Sequence, residues 1–249
     1  MPRNLNIYFS PLAIFLDVWV SMKLVLKISG KLVNPEEPEY ISKLAEVVKS
    51  LVSEGHRVAV VVGGGSIARK YIDACRSLGG SEGICDLVGI DASRLNALLL
   101  IIALGDLAYR RVIRNIDELL DAWGTGLVVA AGGFQPGQST VAVSAIIAET
   151  ISADLLVYAT IVSGIYDKDP AIDPSAKLLK RVSVSELRKI LVRQNISAGR
   201  YELIDPIALS IIERSRIKVT VIDGRDPTTI LKAVRGEDVG TLVIHDHDK

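Results

Sequence analysis

The chain has 249 residues, 49% of them hydrophobic and 5% aromatic, and its 29 lysines and arginines balance its 29 aspartates and glutamates. A neutral chain lacks the basic footprint of a dedicated nucleic-acid binder, and apolar content this high excludes wholesale disorder. Two cysteines, Cys75 and Cys85, are too few for a disulfide scaffold; they fit a reducing cytosol and read as unreactive packing residues.

In chain order, the first 21 residues stand apart. Positions 7–20 are largely apolar but broken by Pro11 and Asp17, with only Arg3 charged before them and no small-residue cleavage site after. That makes a poor signal peptide. Met22, the second of two methionines, directly precedes an ordinary strand, so synthesis is expected to start there.

From Met22 onward strand and helix patterns alternate. A strand over 23–28 ends in Ser29-Gly30-Lys31, and a helix over about 37–53 places Ile41, Leu44, Ala45, Val48 and Leu51 at a helical period. A strand over 57–62 runs into Gly63-Gly64-Gly65 and a helix to about Leu78. A Gly-rich connection over 79–83 leads to a long helix over about 92–108. Inside that helix, positions 97–104 form the longest unbroken apolar run, far short of a membrane span and expected to face the core. A strand over 127–131 ends in the loop Gly132-Gly133-Phe134-Gln135-Pro136-Gly137, after which Ser139 or Thr140 caps a helix through Ser152. A strand over 155–159 precedes an irregular stretch containing Asp169-Pro170 and Asp173-Pro174. Ser183-x-x-Glu186 is a capping box, and Asp205-Pro206 and Asp226-Pro227 each read as an N-cap before a first-turn proline. Strands over 218–222 and 241–244 close the pattern. The whole predicts an α/β fold, a mostly parallel central sheet with helices on both faces. His56 is expected to be exposed. His245, Asp246, His247 and Asp248 read as a solvated tail, not a metal site.

Three strands thus end in glycine-rich turns. In open parallel sheets ligands bind beyond the carboxyl ends of the strands. Glycine lets backbone N–H groups approach an anion there, and the following helix N-terminus adds partial positive charge. Three such turns at one sheet edge point to a phosphate-rich ligand. Gly63-x-Gly65-x-x-Ala68 formally fits the dinucleotide fingerprint but follows the second strand, and Gly30-Lys31 lacks the upstream glycine of a Walker A loop.

Lys27-Ile28-Ser29-Gly30-Lys31, Gly63-Gly64-Gly65-Ser66-Ile67-Ala68-Arg69 and Asp86-x-x-Gly89-Ile90 resemble the amino acid kinase superfamily. Ser93-Arg94-Leu95-Asn96-Ala97, the Gly132-to-Thr140 loop, Tyr166-Asp167-Lys168-Asp169-Pro170 and Tyr201-Glu202-Leu203-Ile204-Asp205-Pro206 narrow the resemblance to the archaeal type of uridylate kinase. It implies a three-layer sandwich with an acceptor lobe over about 22–152 and an ATP lobe over about 153–249. Lys27, Ser29, Gly30, Lys31, Gly65 and Arg69 then match positions around the ATP phosphates, and Thr160, Ile161, Tyr166 and Asp169 those around its adenosine. Gly64, Asp86, Phe134, Gln135, Pro136, Gly137, Gln138, Ser139 and Thr140 match positions that hold UMP. The resemblance also implies Mg²⁺ carried by ATP, with no protein metal site, and a homohexamer in the cytoplasm that binds neither nucleic acid nor membrane.

The chemistry suits that inventory. A nucleoside monophosphate is already ionised at pH 7, its second pKa being about 6, so no general base is required. Lys27 is the expected charge stabiliser, supported by Lys31 or Arg69, and Asp86 the expected acceptor for ribose hydroxyls. Three positions depart from the pattern. Ile161 replaces an asparagine, and Ser163 and Val141 each an aspartate, of many relatives. Two other readings stay open: a kinase of this superfamily acting on a carboxylate, carbamate or isoprenoid phosphate, and a catalytically silent nucleotide-binding protein.

Overall fold

The structure, a computed structural model, describes residues 21–196 and 203–246. The expected leader up to residue 20, with Tyr201, Glu202, His247 and Asp248, lies outside the described residues.

Seven strands form one sheet: β1 (Lys23–Ile28), β2 (Arg57–Val62), β3 (Val129–Ala131), β4 (Leu155–Thr160), β5 (Arg181–Ser183), β6 (Val219–Asp223) and β7 (Thr241–Ile244), in the order β3-β2-β1-β4-β6-β7-β5. Every pairing is parallel except β6 with β7. The helices are α1 (Glu39–Ser53), α2 (Gly65–Ser77), α3 (Glu82–Leu104), α4 (Ile116–Gly124), α5 (Thr140–Thr150), α6 (Val184–Ile196), α7 (Pro206–Ser215) and α8 (Thr229–Val234).

Strand alternation divides the core in two. Leu24, Leu26 and Ile28 of β1 enter a cluster with Leu44, Val48, Leu51, Leu100 and Ile230, which belong to α1, α3 and α8. Val25 enters the opposite cluster with Val143, Ile147, Leu209 and Ile212 of α5 and α7. Each fully buried leucine or isoleucine contributes about 1.5–3 kcal/mol. The same alternation (side chains pointing to opposite faces at every step) sends Lys27 to the side of Val25.

Several expectations need correction. Helix α3 begins at Glu82, ten residues earlier than its apolar period suggested, because Ser81 occupies the N-cap in extended backbone. Gly83 therefore sits inside the helix and only Gly79 and Gly80 form the turn. Helix α4 and strand β5 had not been anticipated. Helix α8 starts at Thr229, and Asp226 instead accepts hydrogen bonds from Thr228 in the preceding turn. The Asp205 cap and the Ser183–Glu186 box form as expected. His56 is buried, its Nδ1 accepting from Met22 N at 3.1 Å. His245 is buried too, with Nε2 3.1 Å from the Ile217 carbonyl.

The apolar run in α3 is only half core. Ala97, Leu100, Ile101 and Leu104 are buried, whereas Leu98, Leu99 and Ile102 are exposed by 39%, 37% and 68%. Among the described residues this is the one helix long and apolar enough to cross a membrane. Its inner face packs on α1, α2, β2 and β3.

Candidate active site

The glycine-rich turns meet because two of them touch backbone to backbone. A Cβ on Gly30 would lie 2.1 Å from Gly65 N, and one on Gly65 would lie 2.1 Å from Gly30 O. Gly65 also has φ of +67°, a region that costs L-residues strain. Only glycine at both positions lets the ends of β1 and β2 close up, with the N-terminus of α2 beside them.

Helix α3 braces the loops from below. Asn96 Nδ2 donates to Gly63 O at 2.9 Å, and Ser93 Oγ accepts from Gly133 N at 2.8 Å. Arg94 donates to the carbonyls of Gly133 at 3.2 Å and Phe134 at 3.1 Å. The Ser93-Arg94-Leu95-Asn96 motif therefore positions loops and does not face the cleft.

Above these loops opens a cleft of about 770 Å³. It is lined by Lys27, Ser29, Gly30, Lys31, Gly65, Arg69, Thr160, Ile161, Tyr166 and Asp169, all anticipated around ATP, and by Gly64 and Thr140. Tyr158, Val162, Ser163, Leu203 and Arg225 also line it and had not been anticipated. Tyr158 pairs in register with Lys27 across β1 and β4, so its approach was hidden until the strand pairing was known. Arg225 is ion-paired with Asp223 at the end of β6.

Lys27 is the unusual group. It is 4% exposed and its Nζ lies 4.5 Å from the Tyr158 ring centroid, a cation–π distance. Burial pushes its ammonium down to about 7, with no carboxylate contributing. Lys31 and Arg69, by contrast, are exposed at the rim. Val141, at the position of the missing aspartate, packs against the core.

A smaller pocket of about 170 Å³ adjoins the cleft through Gly64, Gly65 and Thr140. Asp86 and Gln138, two of the residues matched to UMP, line it together with Ile72, Ile90, Ser93 and Gly133. Asp86 lies within α3 and does not cap it; its Oδ2 accepts from Gly137 N at 2.9 Å. Phe134, Gln135, Pro136, Gly137 and Ser139 do not line this pocket. Phe134 packs against the core, and Ser139 caps α5 while donating to Asp205. Asp86→Ala is expected to raise the KM for whatever acceptor the smaller pocket holds about tenfold with little change in kcat, because the loop loses a charge-assisted tether; steady-state kinetics check it.

Backbone contact between two glycine turns at a helix N-terminus, a buried lysine and two adjoining pockets are features of a phosphotransferase of the amino acid kinase type. The chain belongs to the amino acid kinase family: residues 22–223 match the profile described as "Amino acid kinase family". Within that family it is similar to archaeal uridylate kinases. It is 54% identical over 219 residues to the uridylate kinase of Hyperthermus butylicus, covering 88% of this chain and 96% of that protein. It is 50% identical over 223 residues to that of Sulfurisphaera tokodaii, covering 89% and 99%. The crystal structure of uridylate kinase from Archaeoglobus fulgidus superposes with a TM-score of 0.80 at 44% identity, covering 89% of this chain and all of that one. The UMP kinase of Bacillus anthracis shares the fold with a TM-score of 0.73 at 22% identity.

Proposed function

We propose that the chain transfers the γ-phosphoryl group of ATP to UMP, giving UDP and ADP. The observation that carries this reading is Lys27, buried yet lining the larger cleft together with Ser29, Gly30, Gly65 and Arg69, with the smaller pocket adjoining that cleft through Gly64, Gly65 and Thr140. The identity to proteins named uridylate kinase supports UMP as the acceptor. ATP then lies in the larger cleft, its phosphates against Ser29, Gly30, Lys31, Gly65 and Arg69 and its adenosine toward Thr160, Ile161, Tyr166 and Asp169. UMP occupies the smaller pocket, with the ribose near Asp86 and the loop through Phe134, Gln135, Pro136, Gly137, Gln138, Ser139 and Thr140 closing over it. The two lobes divide near residue 152, between α5 and β4.

Phosphoryl transfer demands little bond chemistry from the protein; alignment and charge stabilisation dominate. The first-turn amides of α2 and the ammonium groups of Lys27 and Lys31 supply positive charge around the transferring group. Mg²⁺ is expected to travel with the ATP phosphates, which it neutralises when bound. The lining suits such a nucleotide-borne ion: Asp169 is the one carboxylate among the described residues lining the cleft, and its Oδ1 already accepts from Ala171 N at 2.9 Å.

Because Lys27 in the free protein titrates near 7, phosphate binding raises its pKa and draws in a proton. At pH 8, binding of ATP should take up roughly one proton. Calorimetry in buffers of different ionisation enthalpy reads this directly, and Lys27→Met should abolish it.

The expected homohexamer finds support in α3. Ile84, Leu87, Leu95, Leu98 and Ile102 form an exposed apolar stripe along the helix, at spacings that keep one face. Light scattering should show a smaller species for the double variant Leu98→Glu, Ile102→Glu. An unchanged mass would place the contact elsewhere.

An acceptor panel separates the readings. Turnover with UMP but not with a small carboxylate, carbamate or isoprenoid phosphate supports this function in cytoplasmic pyrimidine nucleotide synthesis. Turnover with one of the others alone defeats it, and nucleotide binding without turnover on any acceptor identifies a silent protein.

A further inference from the structure

Cys75 lies in the last turn of α2 and Cys85 in the first turns of α3, on either side of the Gly79-Gly80 turn. They are the chain's two cysteines, and the fold aims both sulfurs at the same space. A Cβ built on Gly80 would stand 2.4 Å from Cys75 Sγ and 3.4 Å from Cys85 Sγ. Glycine at position 80 is therefore what leaves room for the two thiols to face each other. Other bonds hold the turn in place: Gly80 N donates to Cys75 O at 2.9 Å, and Arg76 grips Glu82 through two bonds of 2.8 Å.

We propose that Cys75 and Cys85 form a reversible intramolecular disulfide that staples α2 to α3. The oxidant is a low-molecular-weight disulfide. Cys75, partly exposed, is the thiol such a reagent can reach, whereas Cys85 is fully buried. The Cys75 thiolate attacks the reagent's S–S bond, forming a mixed disulfide and expelling one thiolate. Cys85 then loses its proton and attacks Cys75 Sγ, expelling the second thiol. The two cysteines lose two electrons and two protons, and the reagent is reduced to two thiols. A hydrogen bond from the Cys85 thiol to Cys75, with burial, pushes that thiol up to about 11, which keeps it protonated until the mixed disulfide forms beside it. The staple sits one residue from Asp86, which tethers the Gly137 loop, and it shortens the free chain between two helices that both border the smaller pocket. Closing a loop of this length restrains the unfolded chain enough to shift the unfolding equilibrium about 100-fold.

The test incubates the folded full-length protein with glutathione disulfide, then alkylates it under native and denaturing conditions and maps the peptides. The expected product is one protein two hydrogens lighter, with a 75–85 cross-link, neither thiol alkylated, and a Tm raised by about 5–10 °C over the reduced form. Cys85→Ala should instead retain glutathione on Cys75. Full alkylation of both thiols in the wild type after oxidation, or a persistent mixed disulfide at Cys75 in it, would overturn the proposal. So would a cross-link found solely between chains.

Discussion

Replacing Lys27 by methionine is expected to lower kcat by about 1,000-fold and, at the same time, to make the free protein more stable at pH 7. The two effects have one cause. Lys27 is buried at the end of β1 with an aromatic ring and, among the described residues, no carboxylate contributing to its titration, and burial lowers its pKa from 10.5 to about 7. The unfolded chain holds a proton on this lysine up to pH 10.5, while the folded protein releases it near 7. Between those values the unfolded state binds more protons, so this group's contribution to stability increases as pH rises from 7 toward 10.5 and is lost as pH falls back through 7. At or below pH 7 the penalty is about 3–5 kcal/mol. Methionine fills the space without a charge, so Lys27→Met should raise Tm by about 10 °C at pH 6 to 7, a gain that shrinks steadily toward pH 10. Thermal denaturation across pH together with steady-state kinetics checks both. A variant that lost activity but gained no stability would mean that Lys27 is already neutralised by another group in the free protein.

Gly65→Ala is expected to reduce kcat/KM by at least about 100-fold and to lower Tm. Its Cβ would stand 2.1 Å from Gly30 O, a backbone atom, and φ of +67° is itself unfavourable for alanine. The Gly30 turn must move, and with it Ser29 and Lys31. Gly55→Ala separates strain from collision. Gly55 has φ of +88° but nothing within 4 Å of the added carbon, so it should lose about 1 kcal/mol of stability with unchanged kinetics. Equal kinetic losses in the two variants would show that the contact between the loops is unimportant.

Much of this architecture was legible along the chain because the informative signals are local. Strands β1, β2, β4 and β6 are mostly apolar runs, with glycine within two residues of the ends of β1, β2 and β6 and Thr160 ending β4, and Ser139, Ser183 and Asp205 cap helices where their side chains say they should. The lining of the larger cleft follows from the same turns. What escaped depends on distant partners. Strand β5 is three residues long and exists through its pairing with β7. His56 is buried against Met22 and His245 against Ile217, neither adjacent in sequence. Helix α4 did carry a local signal, Asn115 accepting from Glu118 N ahead of Leu119, Ala122 and Trp123, but its nine residues are too few for a strong period. The turn between α2 and α3 misled for the opposite reason: Gly83 suggests a loop, yet Ser81 starts the helix before it. The cysteines likewise looked inert, and only the helix pairing brings their sulfurs face to face.

The central claim is that Lys27 drives direct transfer of phosphate between two nucleotides held at one sheet edge. The most direct test gives the purified full-length protein Mg²⁺-ATP labelled in the γ-phosphoryl group, with and without UMP, and separates the products. The account predicts label in the β-position of UDP, one UDP for each ADP, and its loss in Lys27→Met with ATP binding retained. Label released as free phosphate with no UDP formed, or UDP formed equally well by Lys27→Met, would contradict it.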